Sequence, residues 1–460
     1  MGNIKKIGTL AGLIVVLSAC AVGPDYQAPT KVKNIALTDS YQQADKLTNW
    51  WQAFGDEDLN QLINVALEEN RTLFQAQANV LRAYAIFRDS ANDVLPKGTL
   101  DAGYQAAKNP TLLSTDNNTI TRGYNTGANL TWDVDLFGKV RRAIEASLAE
   151  AEQADILWHD AQLQIVSQVA ASYGDYRGAQ FRLKVAEQNL ANLRQTRTIV
   201  KARFQAGFAS ELEIARIDAQ VFQVEASLPQ MQTLLARADA TLSALLAKKP
   251  GHLALISEPS LPQLSQPVAL VQGENYLRYR ADVASSERAL AASTARIGVA
   301  TADLYPNVSV NGFLGFLSGP GLTLGGNTKS WSVAPTLSWQ AADLGSVKAR
   351  IHQAEASSDI ALAQFEQQVF DALADMQFSL QSYNLSRQQQ LSTQYQWQAS
   401  EKAMTIAKQR FEAGSGEFLE LLEAQRDVLQ SRDQLALLEQ QSFNRLVDIY
   451  RAFGGGISVI

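Results

Sequence analysis

Apolar residues recur at helical spacing along two unusually long segments of the chain, Val140 to Phe204 and Val347 to Phe411. The first segment contains no proline, and the second contains neither proline nor glycine. The apolar stripe of the first consists of Ile156, Leu163, Val166, Ala170 and Tyr173. That of the second consists of Leu362, Phe365, Val369, Leu373, Met376, Leu380 and Tyr383. Each segment holds 65 residues, which corresponds to roughly 100 Å of helix. Helices of this length do not fit inside a compact globular domain.

Glycine and proline interrupt the helical pattern at a few positions. Gly174 and Gly178 are expected to weaken the first long helix near its middle, because glycine is a poor helix former. Pro229 is expected to kink the helix that returns after Gly207.

A second period, the alternation of apolar and polar residues, predicts four β-strands. In the last of them, Trp331, Val333, Pro335, Leu337 and Trp339 alternate with Ser330, Ser332, Ala334, Thr336 and Ser338. The other three strands have apolar faces formed by Val308, Val310, Leu314 and Phe316, by Tyr124, Ala128, Leu130 and Trp132, and by Leu100, Ala102 and Tyr104. The chain therefore combines long helices with four amphipathic strands.

The two halves of the chain repeat one another. Trp132 and Gly138 correspond to Trp339 and Gly345 at a shift of 207 positions, and the motif Arg-Phe-x-Ala-Gly at 203–207 recurs at 410–414 with the same shift. Upstream, Leu95-Pro96 corresponds to Tyr305-Pro306 at a shift of 210. Each copy has the order helix, two strands, very long helix, turn, helix.

The first twenty residues have the features of a secretory leader that ends in a lipobox. Lys5 and Lys6 precede an apolar run that is too short to span a bilayer, and Leu17-Ser18-Ala19-Cys20 follows directly. Cys20 is therefore predicted to be acylated and to become the mature N-terminus. Ala21 is not the Asp that usually holds lipoproteins at the inner membrane, so sorting to the outer membrane is expected. The alternative is an ordinary leader cut at another position.

Alternation alone fits two kinds of sheet, a transmembrane barrel and a soluble sheet that packs its apolar face on the helices. The lipobox and the helix length favour the barrel. Four strands cannot close a membrane barrel, and an eight-stranded barrel is filled by its own side chains. A duct therefore needs at least three copies of the chain, which supply twelve strands.

Composition and charge exclude several classes of function. The formal net charge is -6, and removal of the leader with its two lysines makes the mature chain more acidic, so nucleic acid is not an expected partner. The single cysteine and the separated His159, His252 and His352 form no zinc site or Cys/His nucleophile at a familiar spacing. No pair of acids stands out for general acid–base catalysis. We expect neither a cofactor nor an enzyme activity.

Several features together resemble one known family. They are the lipobox, Gly23-Pro24-Asp25-Tyr26, Trp50-Trp51, the Leu-Phe-Gly and Leu-Gly strand ends, and the doubled Arg-Phe-x-x-Gly turns. Over nearly the whole chain the sequence resembles the TolC-like outer-membrane factors, in particular the OprM-like lipoproteins that serve resistance-nodulation-division pumps. The resemblance implies an α+β membrane protein, in which three protomers form a twelve-stranded β-barrel in the outer membrane and a tunnel of long α-helical hairpins in the periplasm.

The resemblance also implies partners and a role. The expected role is the exit duct of a tripartite efflux pump, which passively conducts drugs or other small molecules. The expected partners are two further copies of the chain, a periplasmic adaptor, an inner-membrane resistance-nodulation-division pump and outer-membrane lipids.

The family docks its adaptor at the two turns between long helices. The resemblance assigns this role to Arg203, Phe204 and Gly207 in the first turn, and to Arg410, Phe411 and Gly414 in the second. Gly207 also suits the left-handed position that ends a helix, and Ser210 with Glu213 forms the pattern of a capping box. The same residues are therefore also explained as helix punctuation alone.

The closed end of the duct is expected near the second turn. Glu417, Glu420 and Glu423 follow this turn, and threefold symmetry would make each a ring of three carboxylates if it faces the axis. The family often places its gate acid one position earlier, where this chain has Gly416. Glu417 and Glu420 are therefore the candidate gate, and the alternative is that they only begin a helix, where acids are favoured.

The predicted segments of the chain follow from these boundaries. They are a signal peptide at 1–19, a lipid-anchored segment at 20–55, a first repeat at 56–250, a Pro-rich linker at 251–270, a second repeat at 271–453 and a tail at 454–460.

Two other functions remain open at this point. One is a TolC-like duct for protein secretion, and the other is a noncatalytic periplasmic coiled-coil lipoprotein or adaptor, for which the strands would not matter. A phosphate-binding loop at Gly325 to Ser330 is excluded, because two residues separate Gly326 from Lys329.

Overall fold

The computed structural model describes residues 21–28, 42–44, 49–108, 120–251, 253, 255, 261–262, 269–271, 280–319 and 325–455. The predicted leader, Cys20 and His252 lie outside the described residues, as do positions 456–460 of the predicted tail.

Long helices account for most of the described chain. They are α1 (Glu57–Glu69), α2 (Arg71–Asn92), α3 (Lys139–Gln205), α4 (Glu211–Leu245), α5 (Ala281–Ala302), α6 (Leu344–Glu412) and α7 (Phe418–Ala452). The strands are β1 (Gln42–Ala44), β2 (Lys97–Lys108), β3 (Ile120–Val134), β4 (Ala269–Val271), β5 (Asn307–Ser318) and β6 (Lys329–Ser338). The two very long helices and the four amphipathic strands are therefore present as predicted.

The internal repeat is visible in the element boundaries. Helices α4 and α7 both have 35 residues, and their ends differ by the same 207 positions as the sequence motifs. Helices α2 and α5 both have 22 residues, and β2 and β5 both have 12, at a shift of 210. The predicted repeat is therefore a repeat of structure.

The chain divides into two compact units, and each takes residues from both repeats. Unit 1 contains residues 1–30, 79–155 and 285–366, and unit 2 contains residues 31–78, 156–284 and 367–460. Unit 1 holds the four-stranded sheet, and unit 2 holds both turns between long helices.

The sheet of unit 1 is antiparallel with the order β2-β3-β5-β6. Its register places Leu100, Ala128, Leu314 and Trp331 in one row across the four strands. The adjacent row consists of Thr99, Asn129, Phe313 and Ser332. Leu100, Leu314 and Trp331 are exposed. Because the apolar rows share one face of the pleated sheet, this unit presents a broad apolar surface to its surroundings.

The two repeats end their strands in the same way. The indole Nε1 of Trp132 donates to the carbonyl of Val94 at 3.0 Å, and Nε1 of Trp339 donates to the carbonyl of Leu304 at the same distance. These bonds fix each tryptophan beside the end of the preceding helical segment.

The segment 21–28 is bound to the rest of unit 1 by several hydrogen bonds. The amide of Val22 donates to the carbonyl of Phe137 at 3.1 Å, and Arg142 binds Asp25 at 2.6 Å. The hydroxyl of Tyr26 donates to Glu287 at 2.9 Å. The residues that follow the predicted acylation site are thus held by side chains from both repeats.

A single residue, Asn70, separates α1 from α2, a break that the sequence analysis did not predict. Its backbone amide still bonds to the carbonyl of Ala66, but its extended ψ of 126° ends α1. Its side-chain oxygen accepts from the amides of Thr72 and Leu73 at 2.8 and 3.2 Å, which caps the start of α2. The amide nitrogen of Asn70 donates to the carbonyl of Leu245, at the end of α4.

The two glycines of α3 lie at a close approach of α7, and the expected weakening of the helix stays a prediction. The helix continues from Lys139 to Gln205 through both of them. A Cβ at Gly174 would lie 2.5 Å from the ring of Phe443, and one at Gly178 would lie 2.5 Å from the side chain of Gln440. The glycines therefore permit close packing of α7 on α3 and do not interrupt the helix. Pro229 lies inside helix α4, and the kink expected there stays a prediction.

In the described part of the chain, none of the helices is both long and apolar enough to cross a membrane.

Candidate functional site at the two helical turns

The long helices α3 and α6 end in the same backbone motif. Gly207 and Gly414 have φ of +80° and +72°, which is the left-handed conformation that glycine adopts without strain. After α3, the amide of Phe208 donates to the carbonyl of Arg203 at 2.8 Å, and the amide of Gly207 donates to the carbonyl of Phe204 at 2.9 Å. The second turn has the same two bonds, from Ser415 to Arg410 at 2.9 Å and from Gly414 to Phe411 at 3.1 Å. Both turns are Schellman motifs, so the repeated Arg-Phe-x-Ala-Gly sequence does end helices.

The two turns differ in how the next helix begins. Ser210 caps α4, since its hydroxyl accepts from the amide of Glu213 at 3.3 Å while the Glu213 carboxylate accepts from the Ser210 amide at 2.5 Å. The predicted capping box is thereby confirmed. In the second repeat the equivalent position is Glu417, whose side chain makes no capping bond. The second turn therefore lacks the side-chain lock that the first possesses.

A contact between Arg203 and the aromatic ring of Phe411 joins the first turn to the second. The guanidinium carbon of Arg203 lies 4.5 Å from the centre of the Phe411 ring, and its Nη1 donates to the Phe411 carbonyl at 3.2 Å. A cation over an aromatic face is attracted to its negative quadrupole. Arg203 thus holds the end of α6 against the end of α3.

The equivalent phenylalanines have different surroundings in the single chain. Phe411 is 4% exposed, whereas Phe204 is 43% exposed. Arg410, the equivalent of Arg203, has its Nη1 3.4 Å from a carboxylate oxygen of Glu420, and both side chains are about half exposed. Phe208, which no motif in the sequence marked, is 75% exposed directly after Gly207. In a Schellman motif an apolar residue at this position often packs back on the helix, so its exposure is a signal of a surface contact.

Apolar packing supports both turns from beneath. The cluster takes buried residues from α3, α4, α6 and α7: Leu190, Leu193, Val200, Ile217, Val221, Val224, Phe411, Phe418 and Leu421. The rings of Phe411 and Phe418 lie 5.9 Å apart. Four helix ends are therefore fixed to one another by a common core, which makes the paired turns one surface.

The candidate gate acids lie on the exposed side of the second turn. Glu417, Glu420 and Glu423 are all exposed, and Glu417 immediately precedes α7. A Cβ at Gly416 would lie 2.9 Å from Cβ of Arg410 and 3.0 Å from the Phe411 nitrogen. A side chain at position 416 would therefore force this turn to shift, and the nearest acid in the chain is Glu417.

Unit 2 also contains a polar cleft that the sequence did not reveal. Arg280 binds Asp282 at 2.6 Å, Asp375 at 3.1 Å and the carbonyl of Ala452 at 2.8 Å. Asp160 and Arg451 line the same cleft. Burial raises the pKa of Asp160, and the neighbouring Asp282 acts in the same direction. These residues come from four separate parts of the chain, so no local pattern could have grouped them.

Among the residues that the structure describes, no three His, Cys, Asp or Glu side chains are grouped to hold a metal ion. His159 and His352 lie on α3 and α6, far apart in sequence.

The chain matches one family model and several known proteins over most of its length. Residues 62–248 and 274–455 match the model described as outer membrane efflux protein. The chain is 28% identical to the outer membrane protein OprJ of Pseudomonas aeruginosa, covering 96% of this chain and 94% of OprJ. It is also 28% identical to the toluene efflux pump outer membrane protein TtgI of Pseudomonas putida, covering 97% of both chains.

The solved structure of the outer-membrane channel OprN is similar to this structure with a TM-score of 0.89 and 37% identity, covering 95% of this chain and 100% of that one. This likeness confirms the predicted fold class, with long helical hairpins and four long strands in each protomer.

Proposed function

Because this chain belongs to the outer membrane efflux protein family and is an efflux channel of the outer membrane that extends into the periplasm, we propose that three copies form the exit duct of a three-part pump. A periplasmic adaptor and an inner-membrane pump of the resistance-nodulation-division class complete the assembly. Members of the family are channels and not enzymes.

The exposed apolar face of the four-stranded sheet is the main observation that supports a trimeric channel. One protomer supplies four long strands, and the rows of apolar residues on one face suit contact with lipid. Four strands do not close around a passage, whereas twelve strands from three protomers do. This use of the sheet also disfavours a coiled-coil lipoprotein or adaptor, in which such strands would have no role.

Native mass spectrometry of the detergent-solubilised protein tests this assembly directly. We expect a mass of three chains, and stepwise ion conductance when the same material is added to a planar lipid bilayer. A monomer or dimer that conducts ions would contradict the strand count.

Small organic molecules are the cargo that the comparisons support, since toluene is named for the pump of one relative. A strain that lacks this channel should accumulate an organic solvent or a hydrophobic dye, and the plasmid-borne gene should restore export. Secretion of proteins into the medium should not change in the same strains. Loss of a secreted protein with unchanged dye export would favour the alternative of a protein-secretion duct.

The paired turns are proposed to receive the adaptor. Arg203, Phe204 and Gly207 of the first turn and Arg410, Phe411 and Gly414 of the second form the seam between two hairpins, with Phe208 exposed at its edge. The buried core beneath the turns makes this seam a rigid surface, and a rigid surface binds with a smaller loss of conformational entropy.

Adaptor binding should depend on the exposed phenylalanine. Phe208→Ala should weaken capture of the purified adaptor by about tenfold or more, the usual effect of truncating an interfacial aromatic anchor. Glu211→Ala, which alters an exposed acid in the same turn, is the matched control. If Phe208→Ala binds the adaptor as tightly as the parent chain does, Phe208 is not part of the docking surface.

Glu417 and Glu420 are proposed as the gate at the periplasmic end. Threefold symmetry repeats every carboxylate three times, and like charges that lie close together repel one another and attract cations. The exposed ion pair with Arg410 gives Glu420 an alternative partner when the ring is open.

Single-channel recordings of Glu417→Ala and Glu420→Ala test the gate. We expect altered gating and a changed response to divalent cations and to pH, while Glu211→Ala behaves as the parent chain. If both variants conduct as the parent does under all these conditions, these acids only begin a helix.

Cys20 is proposed to carry the acyl groups of a lipoprotein, and this proposal rests on the leader sequence. Mass spectrometry of the N-terminal peptide should show an acylated Cys20. An unmodified Cys20 or cleavage at another position would exclude lipidation. Cys20→Ser should disturb processing more than channel formation.

A further inference from the structure

We propose that Arg410 of one protomer stacks on Phe204 of the neighbouring protomer, and thereby repeats across the subunit boundary the contact between Arg203 and Phe411 within the chain. The inference rests on the proposed trimer. It assigns a subunit-boundary contact to two side chains that the single chain leaves exposed.

The first step is the equivalence of the two turns. Both long helices end in the same Schellman motif with the same hydrogen bonds, and the helices that follow have the same length. Arg203 and Arg410 therefore occupy equivalent positions, and so do Phe204 and Phe411.

The second step is that the single chain satisfies one of two equivalent pairs. Arg203 stacks on Phe411, which is 4% exposed. The other arginine and the other phenylalanine, Arg410 and Phe204, are both about half exposed. Arg203 and Phe411 thus meet at the junction between the two hairpins of one chain. Phe204 and Arg410 form no such contact within the same chain.

The third step is the geometry of a closed ring. Three chains with two hairpins each give six hairpins in alternating order, so every first hairpin has a second hairpin on either side. One of these neighbours belongs to the same chain and the other to the next chain. In a closed ring the same head-to-tail contact recurs at every junction. Within the chain, an arginine of the first hairpin contacts a phenylalanine of the second. Between chains, the equivalent contact joins Arg410 of the second hairpin to Phe204 in the first hairpin of the next chain.

The helix faces agree with this arrangement. Within the chain α3 packs on α7, through Arg182 with Asp433 at 2.7 Å and Thr196 with Gln425 at 3.0 Å. The equivalent junction between chains brings α6 of one protomer to α4 of the next. This predicts an unoccupied apolar face on α6.

Helix α6 has such a face. Its large exposed apolar residues in unit 2 are Phe370, Phe378, Leu385, Leu391, Tyr395 and Ile406. At 100° per residue these positions fall within an arc of about 140°, and Arg410 falls inside the same arc, one turn after Ile406. Val369, Ala372 and Met376, which are buried within the chain, lie on the opposite side of the helix. Helix α6 is therefore apolar on two faces, and a second copy of this chain is the occupant that the repeat supplies for the exposed one.

The existing partner of Arg410 does not oppose this contact. Its ion pair with Glu420 is about half exposed on both sides, and exposed ion pairs contribute little to stability. A ring that excludes water is the better partner for a guanidinium, because the attraction between a cation and an aromatic face grows when the pair is desolvated.

Cysteine cross-linking distinguishes contacts within a chain from contacts between chains. The only native cysteine is Cys20, so a variant with Arg410→Cys and Phe204→Cys has one new pair of thiols. Treatment of the trimer with a short bis-maleimide should yield covalent dimers and trimers on a denaturing gel. The matched variant with Arg203→Cys and Phe411→Cys should yield only cross-linked monomers. The reverse result, or monomers from both variants while native mass spectrometry still shows trimers, overturns the inference and leaves the proposed function intact.

A second measurement covers the case in which cysteines disturb the turns. The temperature at which trimers dissociate should fall by the same amount in Arg410→Ala, in Phe204→Leu and in the double variant, because each removes the same contact. Phe204→Tyr, which keeps an aromatic ring, should dissociate as the parent does. Additive effects of Arg410→Ala and Phe204→Leu, or equal losses in Phe204→Tyr and Phe204→Leu, would overturn the stacking contact. If the parent chain forms no trimer, the proposed assembly and this contact both fail.

Discussion

Arg177 and Asp58 form an ion pair of 2.7 Å in which the side chains are only 1% and 3% exposed. Nε of Arg177 also donates to the hydroxyl of Tyr173 at 3.0 Å, and this hydroxyl donates to Asp56 at 2.9 Å. Asp56 in turn caps α1 by accepting from the amide of Leu59. The start of α1 is therefore fixed to the middle of α3 by a chain of buried polar contacts.

Removing Asp58 should destabilise the protein strongly. Asp58→Ala leaves a guanidinium buried without its carboxylate, and breaking a buried pair in this way costs about 3–5 kcal/mol. Asp433→Ala breaks the two-bond pair with Arg182, whose side chains are 17% and 32% exposed, so it should cost less, about 1.5–3 kcal/mol. Urea unfolding of the solubilised protein, followed by circular dichroism, measures both. Equal losses in the two variants would show that burial of the Arg177 pair does not decide its contribution.

The two glycines of α3 should respond differently to the same substitution. Gly174→Ala places a methyl group against the ring of Phe443, and overpacking of this kind costs about 1–3 kcal/mol. Gly178→Ala meets the unbranched side chain of Gln440, which can turn aside by giving up its 2.8 Å hydrogen bond to Asp175. The lost hydrogen bond and the better helix propensity of alanine are each worth about 1 kcal/mol and should nearly cancel. Thermal unfolding of both variants is the measurement. A larger loss for Gly178→Ala than for Gly174→Ala would contradict this packing.

The missing cap of the second turn can be restored by one substitution. Glu417→Ser places a hydroxyl three residues before Glu420, the arrangement that Ser210 and Glu213 form in the first turn. The start of α7 should become more stable by about 0.5–2 kcal/mol. Hydrogen exchange of amides 418–421 should slow, whereas Ser210→Ala should accelerate exchange at the start of α4. Unchanged exchange in Glu417→Ser would mean that Glu420 stays with Arg410.

Asp160 should make stability depend on pH in the unusual direction for an acid. Burial raises its pKa above the ordinary 3.8, Asp282 adds repulsion, and a hydrogen bond with Gln164 and the charges of Arg280 and Arg451 act against these effects. An acid whose pKa is raised by folding loses stability as pH rises from 3.8 through the raised pKa. Asp160→Asn removes the charge, so it should be more stable than the parent at pH 7 and equal to it below pH 3.8.

The control for this prediction has the opposite sign. Burial acts against ionisation of Asp282, but the hydrogen bonds and charge of Arg280 prevail and lower its pKa. Asp282→Asn should therefore be less stable than the parent at pH 7, and the difference should vanish as pH falls below the lowered pKa. Unfolding curves recorded between pH 3 and pH 8 compare the two variants. A loss of stability in both at pH 7 would show that Asp160 acts as a partner of Arg280 and not as a penalised charge.

Features that depend on neighbouring residues were predictable from the sequence. The helix ends at Gly207 and Gly414 and the capping box of Ser210 follow from local hydrogen-bonding rules, and all three are present. The strands were predictable because alternation directly reflects a sheet with two different faces. The repeat strengthened each assignment, since the same pattern occurs twice.

Features that depend on distant residues were not predictable. The arginine of the repeated motif stacks on the phenylalanine of the other copy, 208 positions away, and not on that of its own copy. Gly174 interrupts a helical pattern in sequence but serves packing against α7, which local propensity does not report. The polar cleft around Arg280 likewise joins residues that only the fold brings together.

Asn70 ends α1 with its backbone and joins two further helix ends with its carboxamide, and this has a consequence for comparing related chains. Its oxygen begins α2, its nitrogen closes the end of α4, and the side chain is buried. Aspartate offers no donor, serine is too short to reach both partners, and glutamine places the group one carbon too far. The position therefore has no conservative replacement. A relative without asparagine here must connect these helices by a different set of bonds, which makes residue 70 a marker for subgroups within the family.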